Sequence, residues 1–319
     1  MKALRFVDGV LGVLDVKRPG PDGECLVRIL KSGICNTDLE IVRGYGRFRG
    51  TLGHEFVGVV EQSAEKPELI GQRVVGEINV GCGRCSVCKT GGARHCPERT
   101  VLGIKGRDGS HAEYLTLPTH NLFPIPTNVP DEHAVFVEPL AAAIGITEHV
   151  DIRPETKVAV VGDGKLGILC ARSLAIRSRN VVAIGKHAEK LALAEKSGVE
   201  TVLVRNTGKL SARFDVVIEA SGSESGFAVA LDLVKPRGRI VLKSTFQAKP
   251  RLEAWRIVVN EISVIGSRCG RFEPALAMLA NGSVDVSDLI SEQYALTDGV
   301  LAMKRAAENG VMKVLLNVS

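Results

Sequence analysis

Half of the eight cysteines of the chain lie within one sixteen-residue stretch, GCGRCSVCKTGGARHC, with the spacing C-x2-C-x2-C-x7-C. Short x2 spacings let sulfur atoms approach one ion from a tight turn, and a fourth cysteine completes a tetrahedron. The pattern therefore predicts a zinc site built from Cys82, Cys85, Cys88 and Cys96. Four thiolates leave no coordination position for a substrate, so we predict that this zinc is structural.

Other uses of this cysteine cluster are less favoured. The bacterial iron–sulfur pattern has a shorter final gap, and a redox C-x-x-C motif normally adjoins a thioredoxin-like βαβ unit. A zinc module for nucleic acid would place aromatic residues among its basic ones, but the stretch contains no Phe, Tyr or Trp. Among the remaining cysteines, Cys25, Cys170 and Cys269 are interpreted as packing residues.

A second, more scattered set of residues has the composition of an open zinc site. Cys35 and Thr37 lie in SGICNTD, His54 and Glu55 in LGHEFVG, and Glu138 in FVEPLAA. Each of these residues taken alone is more often structural or solvated than functional. Cysteine, histidine and carboxylate together form a plausible catalytic zinc site, which needs three protein ligands and a vacant position. There zinc acts as a Lewis acid on an alcohol or carbonyl oxygen.

The stretch VAVVGDGKLG predicts a dinucleotide-binding turn. It places Gly162, Gly164 and Gly167 in a G-x-G-x-x-G pattern between an apolar strand and a helix. The first glycine permits the tight turn, the second lets a pyrophosphate approach the backbone, and the third allows close packing of the helix. Lys165 and Leu166 lie within the same turn and are included in the predicted cofactor site.

The end of the next strand favours NADP over NAD. An NAD site has a carboxylate about 20 residues after the glycines, where it binds the adenosine ribose. This chain reads VVAIGKHAEK, with Gly185, Lys186 and His187 at that point. Without an acid there, a 2′-phosphate meets no repulsion and Lys186 can neutralise it. The alternative is that Lys186 is simply a solvated residue at a helix start.

The elements around these motifs predict an α/β protein of two domains. Roughly the first 125 residues contain short β-like runs broken by Gly and Pro, and TLPTHNLFPIPTNVP reads as a connector. Apolar strands then alternate with amphipathic helices, which indicates a doubly wound parallel sheet covered on both faces. The tail from about residue 271 has mixed character and ends in the strand MKVLLNVS.

Composition excludes several functional classes. The 41 Lys and Arg residues exceed the 36 Asp and Glu residues by only five, and they are scattered, so a nucleic-acid partner is not expected. The start, MKALRFVDGV, does not read as a signal peptide, and no apolar run approaches the length of a membrane span. We therefore expect a cytoplasmic protein without a membrane partner, in which cysteines stay reduced.

The motifs GICNTD, GHEFVG, VEPLA and VGDGKLG, with the cysteine cluster, occur in the order typical of one family. Over essentially its whole length the chain resembles the medium-chain zinc-dependent alcohol dehydrogenase superfamily, and within it the threonine, polyol and glucose dehydrogenase branch. The resemblance implies a GroES-like catalytic domain over residues 1–125, completed by residues 271–319. It also implies a Rossmann NADP(H)-binding domain over residues 126–270, and a homodimer or homotetramer.

The resemblance also implies roles for individual residues. Cys35 and His54 would be catalytic zinc ligands, and Glu55 and Glu138 would bind the zinc or exchange with its water. Thr37 would accept the proton of the substrate and Asp38 would orient the zinc-binding histidine. The glycines would bind pyrophosphate and Lys186 the 2′-phosphate. Arg268, in GSRCG, would contact the cofactor or the substrate.

The implied function is hydride transfer between an alcohol, polyol or aldose, or the matching ketone, aldehyde or lactone, and NADP(H). The chain departs from the family in having Glu40 where threonine and polyol members commonly have histidine, and in a shortened segment EQSAEKPELIGQRV. Two alternatives stay open: an NADP(H)-binding protein that keeps structural zinc but has lost catalysis, and a zinc-independent quinone or enone reductase of the same superfamily. The substrate is a small molecule that the sequence does not identify.

Overall fold

The structure, a computed structural model, describes residues 1–245 and 253–318. Most of its strands are short. In chain order the strands are β1 (Lys2–Val7), β2 (Val10–Asp15), β3 (Cys25–Gly33), β4 (Gly50–Thr51), β5 (Glu55–Gln62), β6 (Arg73–Gly76), β7 (Asn79–Val80), β8 (Thr100–Leu102), β9 (Gly106–Arg107), β10 (Tyr114–Leu117), β11 (Leu122–Pro124), β12 (Lys157–Val161), β13 (Asn180–Gly185), β14 (Glu200–Leu203), β15 (Phe214–Glu219), β16 (Val234–Leu242), β17 (Ser263–Gly266), β18 (Ile290–Ala295) and β19 (Lys313–Asn317).

The helices are concentrated in the second half of the chain. They are α1 (Asn36–Val42), α2 (Ser86–Lys89), α3 (Asp131–Ala134), α4 (Val137–Ile144), α5 (Lys165–Ala175), α6 (Ala188–Glu195), α7 (Glu224–Leu233), α8 (Ala254–Val259), α9 (Phe272–Ala280) and α10 (Gly299–Ala306). Among the described residues, none of these helices has the length and apolar character needed to cross a membrane.

The chain divides into two compact units. The first contains residues 1–138 and 276–319, and the second contains residues 139–275. In the first unit, seven strands form one sheet in the order β11-β6-β5-β3-β19-β18, with β10 also paired to β3. The C-terminal strand β19 thus lies beside β3, antiparallel to it, which brings the end of the chain next to the segment that leads to Cys35. Ser319, the last residue of the predicted C-terminal strand, lies outside the described residues.

The second unit is built on a six-stranded parallel sheet in the order β14-β13-β12-β15-β16-β17. This is the strand order of a doubly wound nucleotide-binding sheet, so the predicted fold class is confirmed. In the central strand β12, KVAVV, every residue after the first is buried. Because helices cover both faces of such a sheet, a continuous apolar run replaces the alternation typical of a half-exposed strand.

The predicted connector is wrong for part of its length. Within residues 116–130 the structure places β11, which pairs antiparallel with β6. The boundary between the units also falls later than residue 125, because Arg73 binds both the Asp131 carboxylate at 2.8 Å and the Val129 carbonyl at 2.6 Å. These bonds tie the segment before α4 to the antiparallel sheet of the first unit. The prolines that suggested a linker instead shape an edge strand and its turns.

Candidate active site

Cys35 is held at the start of α1 by the carboxylate of Asp38. Cys35 is the residue before the helix, and its backbone N–H donates to Asp38 Oδ2 at 2.8 Å, as in a capping box. The other carboxylate oxygen, Oδ1, accepts from the backbone N–H of Gly53 at 3.1 Å. One fully buried carboxylate therefore joins the segment of Cys35 to the segment of His54.

The same carboxylate lies beside two buried imidazoles. His54 Nδ1 is 3.5 Å from Asp38 Oδ1, and His111 Nε2 is 3.6 Å from Asp38 Oδ2. Burial raises the pKa of Asp38, but the charge of His54 and the neighbouring imidazole of His111 outweigh burial and hold that pKa well below its usual range. Conversely, burial lowers the pKa of His54, but the charges of Asp38 and Cys35 outweigh burial and raise it well above its usual value. Asp38 therefore stays ionised and orients the ring.

Cys35, His54 and Glu55 come together as a group able to bind a metal ion. Their ligand atoms all lie within 4.8 Å of one another. Glu55 Oε1 is buried and has no hydrogen-bond partner among the described residues. A buried oxygen of this kind is costly unless a further partner satisfies it, and a cation is such a partner. Sulfur, nitrogen and oxygen donors in one group fit zinc.

The second carboxylate oxygen of Glu55 pairs with a buried lysine that was not predicted from the sequence. Glu55 Oε2 accepts from Lys313 Nζ on β19, and the two side chains are 1% and 2% exposed. Gly33, opposite Glu55 in the sheet, leaves the necessary space, since a Cβ there would lie 2.6 Å from Glu55 Oε2. The signal in the sequence was weak: one lysine inside the otherwise apolar run VMKVLL.

Thr37 and Glu138 lie near this group without belonging to it. Thr37 Oγ1 is 3.8 Å from Cys35 Sγ. Glu138 is not among the three clustered ligands, although the charges of His54 and Glu55 act on it. Burial, then the charges of Glu55 and Glu77, raise the pKa of Glu138 to about 7, against the opposing charges of His54 and Lys313. Glu138 as a zinc ligand stays a prediction.

The four clustered cysteines form a second, closed group between β7 and β8. Their sulfur atoms also lie within 4.8 Å of one another. The backbone N–H of Cys82 donates to Cys96 Sγ and that of Cys88 to Cys85 Sγ, both at 3.4 Å. Backbone N–H groups of Arg84 and Cys85 lower the pKa of Cys82 to about 6, whereas burial raises the pKa of Cys88 to about 12, so Cys82 is the thiol most ready to bind metal as a thiolate. All described cysteines are free, so no disulfide competes with this use.

The glycine-rich turn in the second unit has the geometry that its spacing predicts. Gly162 has φ +131°, and a Cβ on Gly167 would lie 2.0 Å from the Gly162 carbonyl oxygen, so both positions require glycine. A Cβ on Gly164 would meet nothing within 4 Å, which leaves open space beside the start of α5. Within the part of the chain that the structure describes, no side chain caps the N-terminus of α5 by a hydrogen bond. A helix N-terminus that faces open space suits a pyrophosphate.

The expectation that no acid lies at the end of β13 is wrong. Asp163, between the first two glycines of the turn, extends its carboxylate to that point. Its Oδ2 accepts from the backbone N–H groups of Lys186 at 2.6 Å and His187 at 2.8 Å. Sequence reasoning looked for the acid on β13 itself, but the adjacent strand β12 supplies it through the turn that follows.

Arg268 lies in the second unit, in the segment after β17, and its side chain is exposed. Its backbone carbonyl accepts from Lys243 Nζ at 3.2 Å, and the same nitrogen binds the Ala142 carbonyl at 2.7 Å. Lys243 is only 6% exposed and follows β16. This lysine, which the sequence analysis also missed, fixes the backbone of the segment that carries Arg268.

Comparisons with known proteins identify the family of the chain. Residues 21–127 match the family model of the alcohol dehydrogenase GroES-like domain, and residues 164–281 match that of the zinc-binding dehydrogenases. The chain is 32% identical to an L-threonine 3-dehydrogenase of Mesorhizobium japonicum, over 98% of each protein. It is 31% identical to an erythritol/L-threitol dehydrogenase of Mycolicibacterium smegmatis, over 86% of this chain and 85% of that protein. A Sinorhizobium meliloti 1021 structure solved with NADP superposes with a TM-score of 0.90 at 30% identity, over 99% of each chain.

The chain combines a GroES-like domain with a parallel sheet of the dinucleotide-binding type, and its first unit contains clustered residues able to bind metal. This combination defines an oxidoreductase of the alcohol dehydrogenase class. The chain belongs to the medium-chain zinc-dependent alcohol dehydrogenase superfamily. The predicted resemblance and the prediction that the protein is an enzyme are therefore confirmed.

Proposed function

We propose that this enzyme is a zinc-dependent dehydrogenase that transfers hydride between NADP(H) and an alcohol, polyol or aldose, or the matching ketone, aldehyde or lactone. The observation that carries the proposal is the convergence of Cys35, His54 and Glu55, whose ligand atoms lie within 4.8 Å of one another. Unlike the four-cysteine group, this set holds only three protein ligands and leaves coordination positions for a substrate oxygen.

In this proposal each residue near the group has a distinct task. Cys35, His54 and Glu55 hold the metal, and Glu138 is predicted to exchange with the water on the metal. Bound zinc supplies a Lewis acid that lowers the pKa of an alcohol. Thr37, 3.8 Å from the sulfur of Cys35, is positioned to accept the hydroxyl proton. Lys313 pairs with Glu55 and holds its carboxylate in place, and Asp38 orients the ring of His54.

The cofactor is proposed to lie on the turn before α5, with its pyrophosphate beside Gly164. NADP rather than NAD is the prediction from Lys186, whose exposed side chain brings positive charge to the end of β13. Arg268 is proposed as a further contact of the cofactor or substrate. The nicotinamide accepts hydride in oxidation and donates it in reduction.

The substrate is proposed to be a small hydroxylated or carbonyl compound. The relatives are named for L-threonine and for erythritol or L-threitol, which share a secondary alcohol beside a second polar group. Glu40, which departs from the threonine and polyol pattern, accepts a hydrogen bond from Arg43 at 2.8 Å, so it is already engaged on the surface of α1. A parallel screen of amino alcohols, polyols, aldoses and secondary alcohols, with absorbance of reduced nicotinamide as the readout, would identify the class.

Metal stoichiometry tests the proposal. Two zinc ions per chain are expected, and Cys35→Ser should lose one of them together with turnover while thermal unfolding still shows a folded protein. Cys25→Ser is the matched control, since Cys25 is buried in the same unit but lies 3.2 Å from Ser63 Oγ and outside both metal-type groups. One zinc per chain in the unaltered protein, or full activity of Cys35→Ser, would contradict the catalytic site. Residence in the cytoplasm and assembly as a homodimer or homotetramer stay predictions.

A further inference from the structure

Asp163 occupies an unusual position at the predicted cofactor site. It lies between Gly162 and Gly164, yet its carboxylate is bound to the turn that follows β13 rather than to its own turn. One oxygen, Oδ2, accepts from the backbone N–H groups of Lys186 and His187, and the Nδ1 atom of the His187 ring is 3.0 Å from the same oxygen. The side chain of Asp163 is 13% exposed.

Gly185 shows that the two turns are fitted to each other. A Cβ at Gly185 would lie 2.5 Å from both Cβ and Oδ2 of Asp163. The last position of β13, where a dinucleotide site often carries an acid, therefore has to be glycine while Asp163 fills that space. Asp163 delivers a carboxylate to the same end of the sheet from the neighbouring strand.

We propose that Asp163 is a specificity-determining residue, which opposes a 2′-phosphate on the adenosine ribose and so limits the preference for NADPH that Lys186 confers. This inference rests on the proposed function, because it requires a nicotinamide dinucleotide on the turn before α5. A ribose hydroxyl can donate to a carboxylate, whereas a phosphate with a charge of about −1.5 to −2 is repelled by it. The ratio of the two affinities reflects the balance between Asp163 and Lys186.

Asp163→Asn removes the charge while keeping the geometry. Both backbone N–H groups bind a single oxygen, so the amide oxygen of asparagine can take the place of Oδ2 and still accept from both. The binding of NADPH and NADH would be titrated separately by nicotinamide fluorescence, and 2′,5′-ADP and 5′-AMP would be titrated by calorimetry. These measurements report binding and need no turnover.

The expected result is a rise of about tenfold in the ratio of Kd for NADH to Kd for NADPH, equivalent to ~1.4 kcal/mol. The ratio of Kd for 5′-AMP to Kd for 2′,5′-ADP is expected to rise as well. Asp215→Asn is the matched control: Asp215 Oδ2 also accepts a backbone N–H, that of Lys157 at 2.7 Å, but at the amino ends of β15 and β12. It removes the same charge from the same unit and should leave the ratio unchanged.

An unchanged ratio in Asp163→Asn would overturn the inference while leaving the proposed function intact. If both affinities fell equally, Asp163 would be only structural. A shift of the same size in Asp215→Asn would also overturn the inference, by tracing the effect to net charge. If the unaltered protein binds neither dinucleotide, the proposed function itself fails. Should Asp163→Asn not fold, Asp163→Ser keeps a hydroxyl acceptor and is expected to shift the ratio in the same direction.

Discussion

Replacing Asp38 by asparagine should weaken zinc binding at the proposed Cys35 site and leave the proposed four-cysteine site unchanged. Asp38 is fully buried, and each of its oxygens accepts a different backbone N–H: Oδ2 binds Cys35 at 2.8 Å and Oδ1 binds Gly53 at 3.1 Å. Asparagine has one acceptor oxygen, so its NH2 group has to face one of the two donors. The substitution also removes the charge that orients His54.

The cost follows from those contacts. A hydrogen bond to a charged group is worth roughly 1.5–3 kcal/mol, and Asp38→Asn loses one such bond and weakens the other. Loss of a partner that orients a metal-binding histidine typically lowers metal affinity about 10–100-fold. We therefore expect the affinity of the Cys35 site for zinc to fall by that factor. The four-cysteine site contains no contact with Asp38 among its described bonds and should be unaffected.

The assay is zinc content after equilibration with chelators of graded strength, with the four-cysteine zinc as an internal reference. Asp108→Asn is the matched control. Asp108 Oδ1 accepts a hydrogen bond from the backbone N–H of Thr51 at 2.8 Å, in the segment just before His54. Unlike Asp38, Asp108 has a side chain that is 58% exposed, and a single carboxylate oxygen makes its contacts. It should release zinc at the same chelator strength as the unaltered protein.

The reasoning would be refuted if Asp38→Asn retained two zinc ions with unchanged affinity. It would equally fail if both zinc ions were lost together at lower chelator strength, because the effect would then be a general loss of the fold. A loss of the same size in Asp108→Asn would assign the effect to the loop rather than to the buried carboxylate.

Two further sets of substitutions test the turn and the buried ion pair. Gly167→Ala should destabilise the second unit, since its Cβ would lie 2.0 Å from the Gly162 carbonyl oxygen. Gly164→Ala should leave thermal unfolding unchanged and only weaken dinucleotide binding. Equal unfolding midpoints for both variants would contradict the assigned roles. Lys313→Met leaves the Glu55 carboxylate buried without its cation and should lower stability by about 3–5 kcal/mol. Adding Glu55→Gln should restore much of that loss in denaturant unfolding, and no recovery would show that the lysine acts through other contacts.

The motifs were predictable because their chemistry is local. C-x2-C-x2-C-x7-C and G-x-G-x-x-G each bring their members together within one turn or loop, so spacing alone carries the information. The Cys35 group required more, since His54 and Glu55 reach Cys35 only through the pairing of β3 with β5. Family resemblance supplied that step, and the roles assigned to those residues stay predictions until the metal is measured.

The residues that sequence reasoning missed are those whose partners are distant in the chain. Lys313 and Glu55 are 258 positions apart, and nothing local in either segment predicts that β19 lies beside β3. The strand β11 was missed for a different reason. The prolines in this segment predicted a connector in spite of its short apolar pattern. A strand forms there nevertheless, because an edge strand tolerates missing N–H groups that would break a central strand.

Asp38 and Asp163 are the same residue type, but the effect of replacing each one depends on which of its carboxylate oxygens accept hydrogen bonds. Each carboxylate accepts two backbone N–H groups and so fixes one loop against another. Asp38 uses both oxygens, one for each donor, while Asp163 uses one oxygen for both. The same change to asparagine should therefore disrupt the geometry at the first position and only remove charge at the second. A loss of metal at Asp38 and a shift of cofactor preference at Asp163 are different results from one chemical substitution, and only the distribution of hydrogen bonds accounts for both.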